Sequence, residues 1–188
     1  MIDGSALSFA ENIKLSAEAV QLAHMAGVSV EGEIGTIGTT AGDIEKTGDG
    51  VIYTKPEDVS KFVSCTGVDS LAIAIGTSHG IYKPNCVPKL QIELLKEINK
   101  VSAVPLVLHG GSSNADEDII MACSNGINKV NIASDFRLAF FQAVTKTLND
   151  TKPFWGPKVY AEGVIAAQQV VEHKMRLFGC IGKASLYR

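Results

Sequence analysis

Short apolar segments alternate with helical patterns along the whole chain, and this rhythm restricts the fold more than any other feature. Val28–Ile34, Ser70–Ile75, Val104–Leu108 and Lys129–Ile132 read as strands. The second and third are nearly unbroken apolar runs, as expected of parallel strands covered on both faces. Ser8-Phe-Ala-Glu11 is a capping box that opens a helix running to about Ala26, with Gly27 as its stop. Thr54-Lys-Pro-Glu57 opens a second helix, with Pro56 in its first turn and an end near Gly67. Further helices are expected over Pro88–Lys100, Ser113 to about Ser124, Ser134–Asp150 and Tyr160 to about Leu177. Such alternation makes an α/β fold on a parallel sheet, either a barrel or an open doubly wound sheet. Four strands are evident, and Met1-Ile2-Asp3 is a candidate end of a fifth. A full (β/α)8 barrel takes about 250 residues. At 188 residues the chain is either a smaller fold or a piece of a barrel.

Composition narrows the function classes. A content of 46% hydrophobic and 20% charged residues supports one sizeable core, and no linker divides residues 1–188, so one domain is expected. The net charge of −3 and the lack of a Lys/Arg stripe argue against nucleic acid. No apolar run reaches the roughly 18 residues that span a bilayer. The start of the chain reads as neither a signal peptide nor an anchor. Cys65, Cys86, Cys123 and Cys180 are widely spaced without a CxxC, which fits reduced thiols and a cytoplasmic location.

The chemistry sits at the strand ends. Val28–Ile34 carries Glu31 and Glu33. Ser70–Ile75 runs into Gly76-Thr-Ser-His79-Gly-Ile-Tyr, Val104–Leu108 into His109-Gly-Gly-Ser-Ser113, and Lys129–Ile132 into Ala-Ser-Asp135. In an α/β barrel all strand C-termini open on one face, where active sites are built. His79 and His109 stand thirty positions apart, one β-α unit, on neighbouring strand ends. Position alone fits two roles for each: a zinc ligand, or a donor to a backbone carbonyl. Two imidazoles are also one short of the usual three protein ligands of a catalytic zinc. The glycines after His109 allow backbone N–H groups to approach a ligand, Ser113 can cap the next helix, and a phosphate is favoured at that helix end. Asn131 to Ser134 lead into a helix in the same way. An ordinary glycine turn with an N-cap explains the same residues. His24 and His173 fall within helical patterns and read as surface or satisfied structural residues. The glycine-rich segment from Thr36 to Val51, with Asp43, Glu45 and Asp49, follows a strand end and fits a mobile lid or a plain surface loop.

Taken together, the chain resembles the class II (zinc-dependent) ketose-bisphosphate aldolases, nearest their tagatose-bisphosphate branch. The resemblance rests on Asp3-Gly-Ser with Phe9-Ala-Glu-Asn-Ile13, Val30-Glu-Gly-Glu-Ile-Gly35, Gly67 to Gly80 with its Gly-Thr-Ser-His-Gly, Pro105-Leu-Val-Leu-His-Gly-Gly-Ser112, and Lys129-Val-Asn-Ile-Ala-Ser134. It implies a partial (β/α)8 barrel, strands four to eight with their helices, lacking the N-terminal strands. It implies Zn2+ as cofactor, with His79 and His109 as two of three ligands. Gly80, Gly110, Gly111 and Ser112, together with Asn131, Ile132, Ala133 and Ser134, would contact the dihydroxyacetone phosphate part of the substrate. Glu33 matches a carboxylate that takes up metal in some relatives, with Asp3 a weaker parallel. The implied reaction is retro-aldol cleavage of fructose or tagatose 1,6-bisphosphate through a zinc-stabilised enediolate, giving dihydroxyacetone phosphate and glyceraldehyde 3-phosphate. A cytoplasmic homo-oligomer, dimer or tetramer, is implied for the complete protein.

The chain departs from that pattern in places. It holds no His-Leu-Asp-His-type motif, which would bring the first ligand and the catalytic acid. Thr39-Thr40 stands where a Gly-Gly pair precedes the lid glutamate, and Tyr160-Ala-Glu-Gly163 lacks an expected arginine for the distal phosphate. The chain by itself is therefore expected to be inactive. The competing readings are a degenerate, non-catalytic sugar-phosphate-binding or partner protein, and another zinc- or phosphate-binding barrel enzyme.

Overall fold

A computed structural model of the chain describes residues 1–36, 38, 39, 52–81, 89–152 and 154–187. The lid segment's acids Asp43, Glu45 and Asp49, as well as Cys86 and Pro88, lie outside the described residues. The chain divides into two compact units, Met1–Asn131 and Ile132–Arg188.

The first unit is built on a four-stranded parallel sheet. Its strands are β1 (Glu31–Ile34), β3 (Ser70–Ile73), β5 (Leu106–Leu108) and β6 (Ile127–Val130), in the order β1-β3-β5-β6. Two further short strands, β2 (Gly38–Thr39) and β4 (Ser78–His79), pair in parallel beyond the ends of β1 and β3. In the main sheet, spatial order follows chain order without reversal. A doubly wound sheet reverses at a switch point, and a barrel does not. The helices between these strands also follow one another: α1 (Phe9–Met25) packs on α2 (Pro56–Thr66), α2 on α3 (Ile92–Val101), and α3 on α4 (Asp116–Ser124). Phe62, Leu71, Ile73, Leu95, Ile98, Leu106, Leu108 and Ile119 are fully buried and form the core of this unit.

Side chains of β1 alternate in the expected way. Gly32 faces the helices, where a Cβ would come within 2.9 Å of Phe62 and 3.0 Å of Val68. Glu31 and Glu33 therefore point to the opposite face of the sheet. That face is strongly concave. Lys129 on β6 reaches Glu31 on β1 at 2.9 Å, although two strands lie between them. In a flat sheet those strands would be about 14 Å apart, and side chains standing perpendicular to it could not meet. The sheet is thus curled as an arc of a barrel. The fold is α/β, as the strand rhythm implied, and part of a (β/α)8 barrel, as the family resemblance implied.

Local chemistry accounts for where the elements begin. The Ser8–Glu11 capping box forms in both directions at the start of α1. The second helix starts at Pro56 with Lys55, which carries no side-chain acceptor, at its cap; the Thr54 hydroxyl, one residue earlier, is used elsewhere. It donates to Ile34 O and accepts from Ala74 N, both at 2.8 Å, lacing the ends of β1 and β3. The fourth helix begins at Asp116, not Ser113, and Ala115 at its cap makes no side-chain bond. Ser113 instead adopts a left-handed backbone with φ +61°. The third helix begins at Ile92, because Lys89–Gln91 adopt no regular structure and the Gln91 N–H donates to Ile75 O at 2.9 Å. Met1–Asp3 form no strand, yet the Ile2 N–H donates to Glu31 O at 2.8 Å on the open side of β1.

The second unit is a helical pair, α5 (Ser134–Thr151) and α6 (Gly156–Leu177). Phe140 stacks on Tyr160 with ring centres 6.2 Å apart. Lys174, buried in α6, pairs with Asp135 in the first turn of α5 at 3.1 Å.

Candidate functional site

β1, β4, β5 and β6 bring together five charged or titratable side chains, Glu31, Glu33, His79, His109 and Lys129. His109 follows β5 and is buried, at 5% exposure. Its Nε2 lies 2.9 Å from Glu31 Oε1, and its Nδ1 lies 3.0 Å from Glu33 Oε2. Carboxylate oxygens only accept, so both hydrogen bonds are made when both ring nitrogens carry protons. The second oxygen of Glu31 takes the Lys129 ammonium at 2.9 Å. Two cations and two anions thus form a chain, Lys129–Glu31–His109–Glu33, that balances its own charge.

The fields in this chain shift its pKa values. Burial, the largest influence on His109, pulls its pKa down. The hydrogen bonds to Glu33 and Glu31 and their negative charges outweigh burial and hold the imidazole above its ordinary 6.5. Burial pushes Glu31 up, but hydrogen bonds from Lys129 and His109, with their charges, bring it below 4.5.

His79, on β4, is exposed, and its ring centre lies 6.4 Å from that of His109. The two His-Gly turns touch through backbone. Gly110 has φ +64°, and a Cβ there would lie 2.7 Å from Ser78 O, so the approach requires glycine. The loop after His109 is further shaped by Asn114, whose amide donates to Gly110 O at 2.8 Å and to Ser112 O at 3.1 Å. The Gly111 N–H is donated to Asn131 O at 3.1 Å, continuing the ladder in which Asn131 N bonds Leu108 O.

The expected site residues thus divide into groups. His79, Gly80, His109, Gly110, Gly111, Ser112 and Asn131 belong to the first unit, on adjoining strand ends. Ile132, Ala133 and Ser134 belong to the second, where they enter α5. His24 is exposed and pairs with Asp69 at 2.9 Å. Lys129 and Asn114 carry no functional signal in the sequence, and Thr54 reads there only as the opening of a helix. The spacing Glu31-x-Glu33 was a usable signal, since residues two apart share a face of a strand.

The donor set can be tested against a metal. Imidazole nitrogen and carboxylate oxygen are the ligand types that suit Zn2+, so the chemistry of His79, His109 and Glu33 fits. Among the described residues, no three His, Cys, Asp or Glu side chains are arranged around a common centre. The carboxylates are instead engaged with His109 and Lys129.

A family model described as fructose-bisphosphate aldolase class-II matches residues 1–183. The chain belongs to the class II fructose-bisphosphate aldolase family. Among solved structures, it is similar to the YdjI aldolase of Escherichia coli K12, with 39% identity and a TM-score of 0.81 over 97% of this chain and 61% of that one. It is also similar to a fructose-bisphosphate aldolase of Campylobacter jejuni, with 28% identity and a TM-score of 0.76 over 96% of this chain and 60% of that one. The chain therefore spans about 60% of the length of these aldolases. Within the described residues, no helix is long and apolar enough to cross a membrane.

Proposed function

We propose that this chain supplies strand ends four to eight of a zinc-dependent aldolase site that cleaves a ketose 1,6-bisphosphate, fructose or tagatose, into dihydroxyacetone phosphate and glyceraldehyde 3-phosphate. The observation that carries this reading is the pairing of two His-Gly strand ends on one concave face, with imidazoles 6.4 Å apart and the Glu33 carboxylate against one of them. His79 and His109 would hold zinc, with Glu33, the carboxylate against His109 Nδ1, as a further candidate ligand. Bound there, zinc supplies Lewis-acid polarisation of the substrate oxygens. The chain's own part is to bind and orient. In the first unit, Gly80, Gly110, Gly111, Ser112 and Asn131 would contact the dihydroxyacetone phosphate moiety; in the second, Ile132, Ala133 and Ser134 lead into the α5 start, which by itself favours a phosphate charge. Holding the substrate in one pose removes much of the entropic cost of reaction.

The 188 residues contain no His-Leu-Asp-His-type motif. Alone they offer two of the three histidine ligands that the family resemblance implies, and no acid of that motif. They therefore bind zinc weakly and do not turn over, in keeping with a site that reads as the C-terminal part of a larger barrel. A complete enzyme of this kind acts in the cytoplasm as a homo-oligomer. The test presents fructose and tagatose 1,6-bisphosphate separately to the purified chain with zinc and follows dihydroxyacetone phosphate. Chelator-sensitive release by this chain alone would refute the inactivity. Absence of any zinc binding that His109→Ala removes would refute the metal assignment.

One observation favours a second reading, a sugar-phosphate-binding protein without turnover. Both nitrogens of His109 already have carboxylate partners, so the cluster is complete without metal. Substrate binding with an affinity that zinc leaves unchanged selects that reading.

A further inference from the structure

Glu31 and Glu33 share a face of β1, but they are held very differently. Glu33 is buried, and among the described residues its carboxylate meets only His109 Nδ1, at 3.0 Å. Glu31 is held at both ends. Oε1 lies 2.9 Å from His109 Nε2, and Oε2 lies 2.9 Å from Lys129 Nζ. A carboxylate with each oxygen on a cation is fixed in orientation, whereas one with a single partner exchanges that partner more easily.

The arrangement depends on a local irregularity of β6. The register shifts between Leu106 and Val107, so that Asn128 is the extra residue and Lys129 comes opposite Val107. Asn128 Oδ1 accepts the Leu106 N–H at 3.1 Å and satisfies the interrupted ladder. Lys129 remains half exposed while the Glu31 side chain is only 10% exposed. The lysine thus carries charge to a buried carboxylate at small desolvation cost to itself.

We propose that Glu31 is a positioning residue for His109, made so by Lys129. The Lys129–Glu31 pair keeps Nε2 of His109 as the protonated, hydrogen-bonded nitrogen and leaves Nδ1, the nitrogen beside Glu33, for zinc. An imidazole that ligates metal through one nitrogen is oriented by donating its other N–H to a carboxylate, which also sets its tautomer. This inference rests on the zinc reading above, and its test separates the two.

The 188-residue chain, 15N-labelled at histidine, is titrated with zinc chloride to millimolar concentration. Long-range 1H–15N correlation follows the ring nitrogens, with His109 assigned by its loss in His109→Asn. The expected result is that His109 Nδ1 moves to the metal-bound range while Nε2 stays protonated. Zinc affinity, measured by competition with a chromophoric chelator, falls about 10–100-fold in Lys129→Met and in Glu31→Leu. Glu31→Gln, which keeps an acceptor for the Nε2 proton, loses less. Lys129→Met sits at a half-exposed position and keeps the test open should Glu31→Leu fail to fold. Coordination through Nε2, or Lys129→Met affinity within about twofold of the unmodified chain, overturns the positioning role and leaves the zinc reading standing. No zinc-dependent change at His79 or His109 overturns the zinc reading, and the positioning role with it.

Discussion

Replacing Thr54 with valine tests whether a single hydroxyl ties together the two strand ends that frame the site. Thr54 is 2% exposed. Its hydroxyl donates to Ile34 O and accepts from Ala74 N, each at 2.8 Å. Valine matches threonine in shape, so Thr54→Val removes both bonds without opening a cavity. A buried backbone N–H and a buried carbonyl are left unmet, at about 1–3 kcal/mol each. The extra methyl returns about 0.8 kcal/mol of burial. The expected loss is about 2–4 kcal/mol, or a fall of about 1–2 M in the urea midpoint at the slope usual for small proteins. Trp155 is the only tryptophan and lies in the second unit, so its fluorescence is the wrong probe. Far-UV circular dichroism and hydrogen exchange at the Ala74 amide report on the first unit directly, and exchange there should accelerate more than tenfold, the factor that 1.4 kcal/mol represents. Thr54→Ser keeps the hydroxyl and loses one methyl, so it should cost only about 1 kcal/mol. If Thr54→Val is as stable as the unmodified chain, or if serine is as damaging as valine, the hydroxyl does not hold these strands and the reasoning fails.

Two further outcomes follow from the same geometry. Gly32→Ala puts a Cβ 2.9 Å from Phe62 and 3.0 Å from Val68, and the overpacking should cost about 1–3 kcal/mol. The companion change Val68→Ala should recover part of that cost in a double-mutant cycle measured by urea unfolding. Asp69 is held below its ordinary 3.8 by the hydrogen bond from His24 and then by the Val30 N–H. A depressed carboxylate contributes stability that is present above its ordinary pKa and is lost as pH falls through the folded value. Asp69→Asn should therefore flatten the decline in stability below pH 3.8, and a carboxyl-carbon NMR titration of Asp69 should give a midpoint under that value.

Several elements are legible in the sequence itself. The Ser8–Glu11 box locates the start of α1 because its two hydrogen bonds are local and close within one turn. The apolar runs at Ser70–Ile75 and Val104–Leu108 identify buried parallel strands because burial on both faces leaves no polar alternation. Ser113 and Thr54 were harder. Each has the chemistry of a helix cap, and each is diverted by its surroundings. Ser113 sits in a left-handed turn beside Asn114, while Thr54 is drawn between two strand ends.

The alternation of strands and helices, the placing of His79 and His109 after successive apolar runs and the family itself were legible in the sequence alone. These depend on short-range patterns and on residue types at fixed spacing. Only the tertiary structure decided which carboxylate meets which nitrogen. Glu31 lies on β1, Lys129 on β6 and His109 just past the end of β5, and they touch because the sheet curls until side chains from non-adjacent strands meet across its concave face. Curvature sums small twists over every strand, so no local stretch of sequence encodes it, and the Lys129–Glu31–His109–Glu33 chain exists only once the arc has formed.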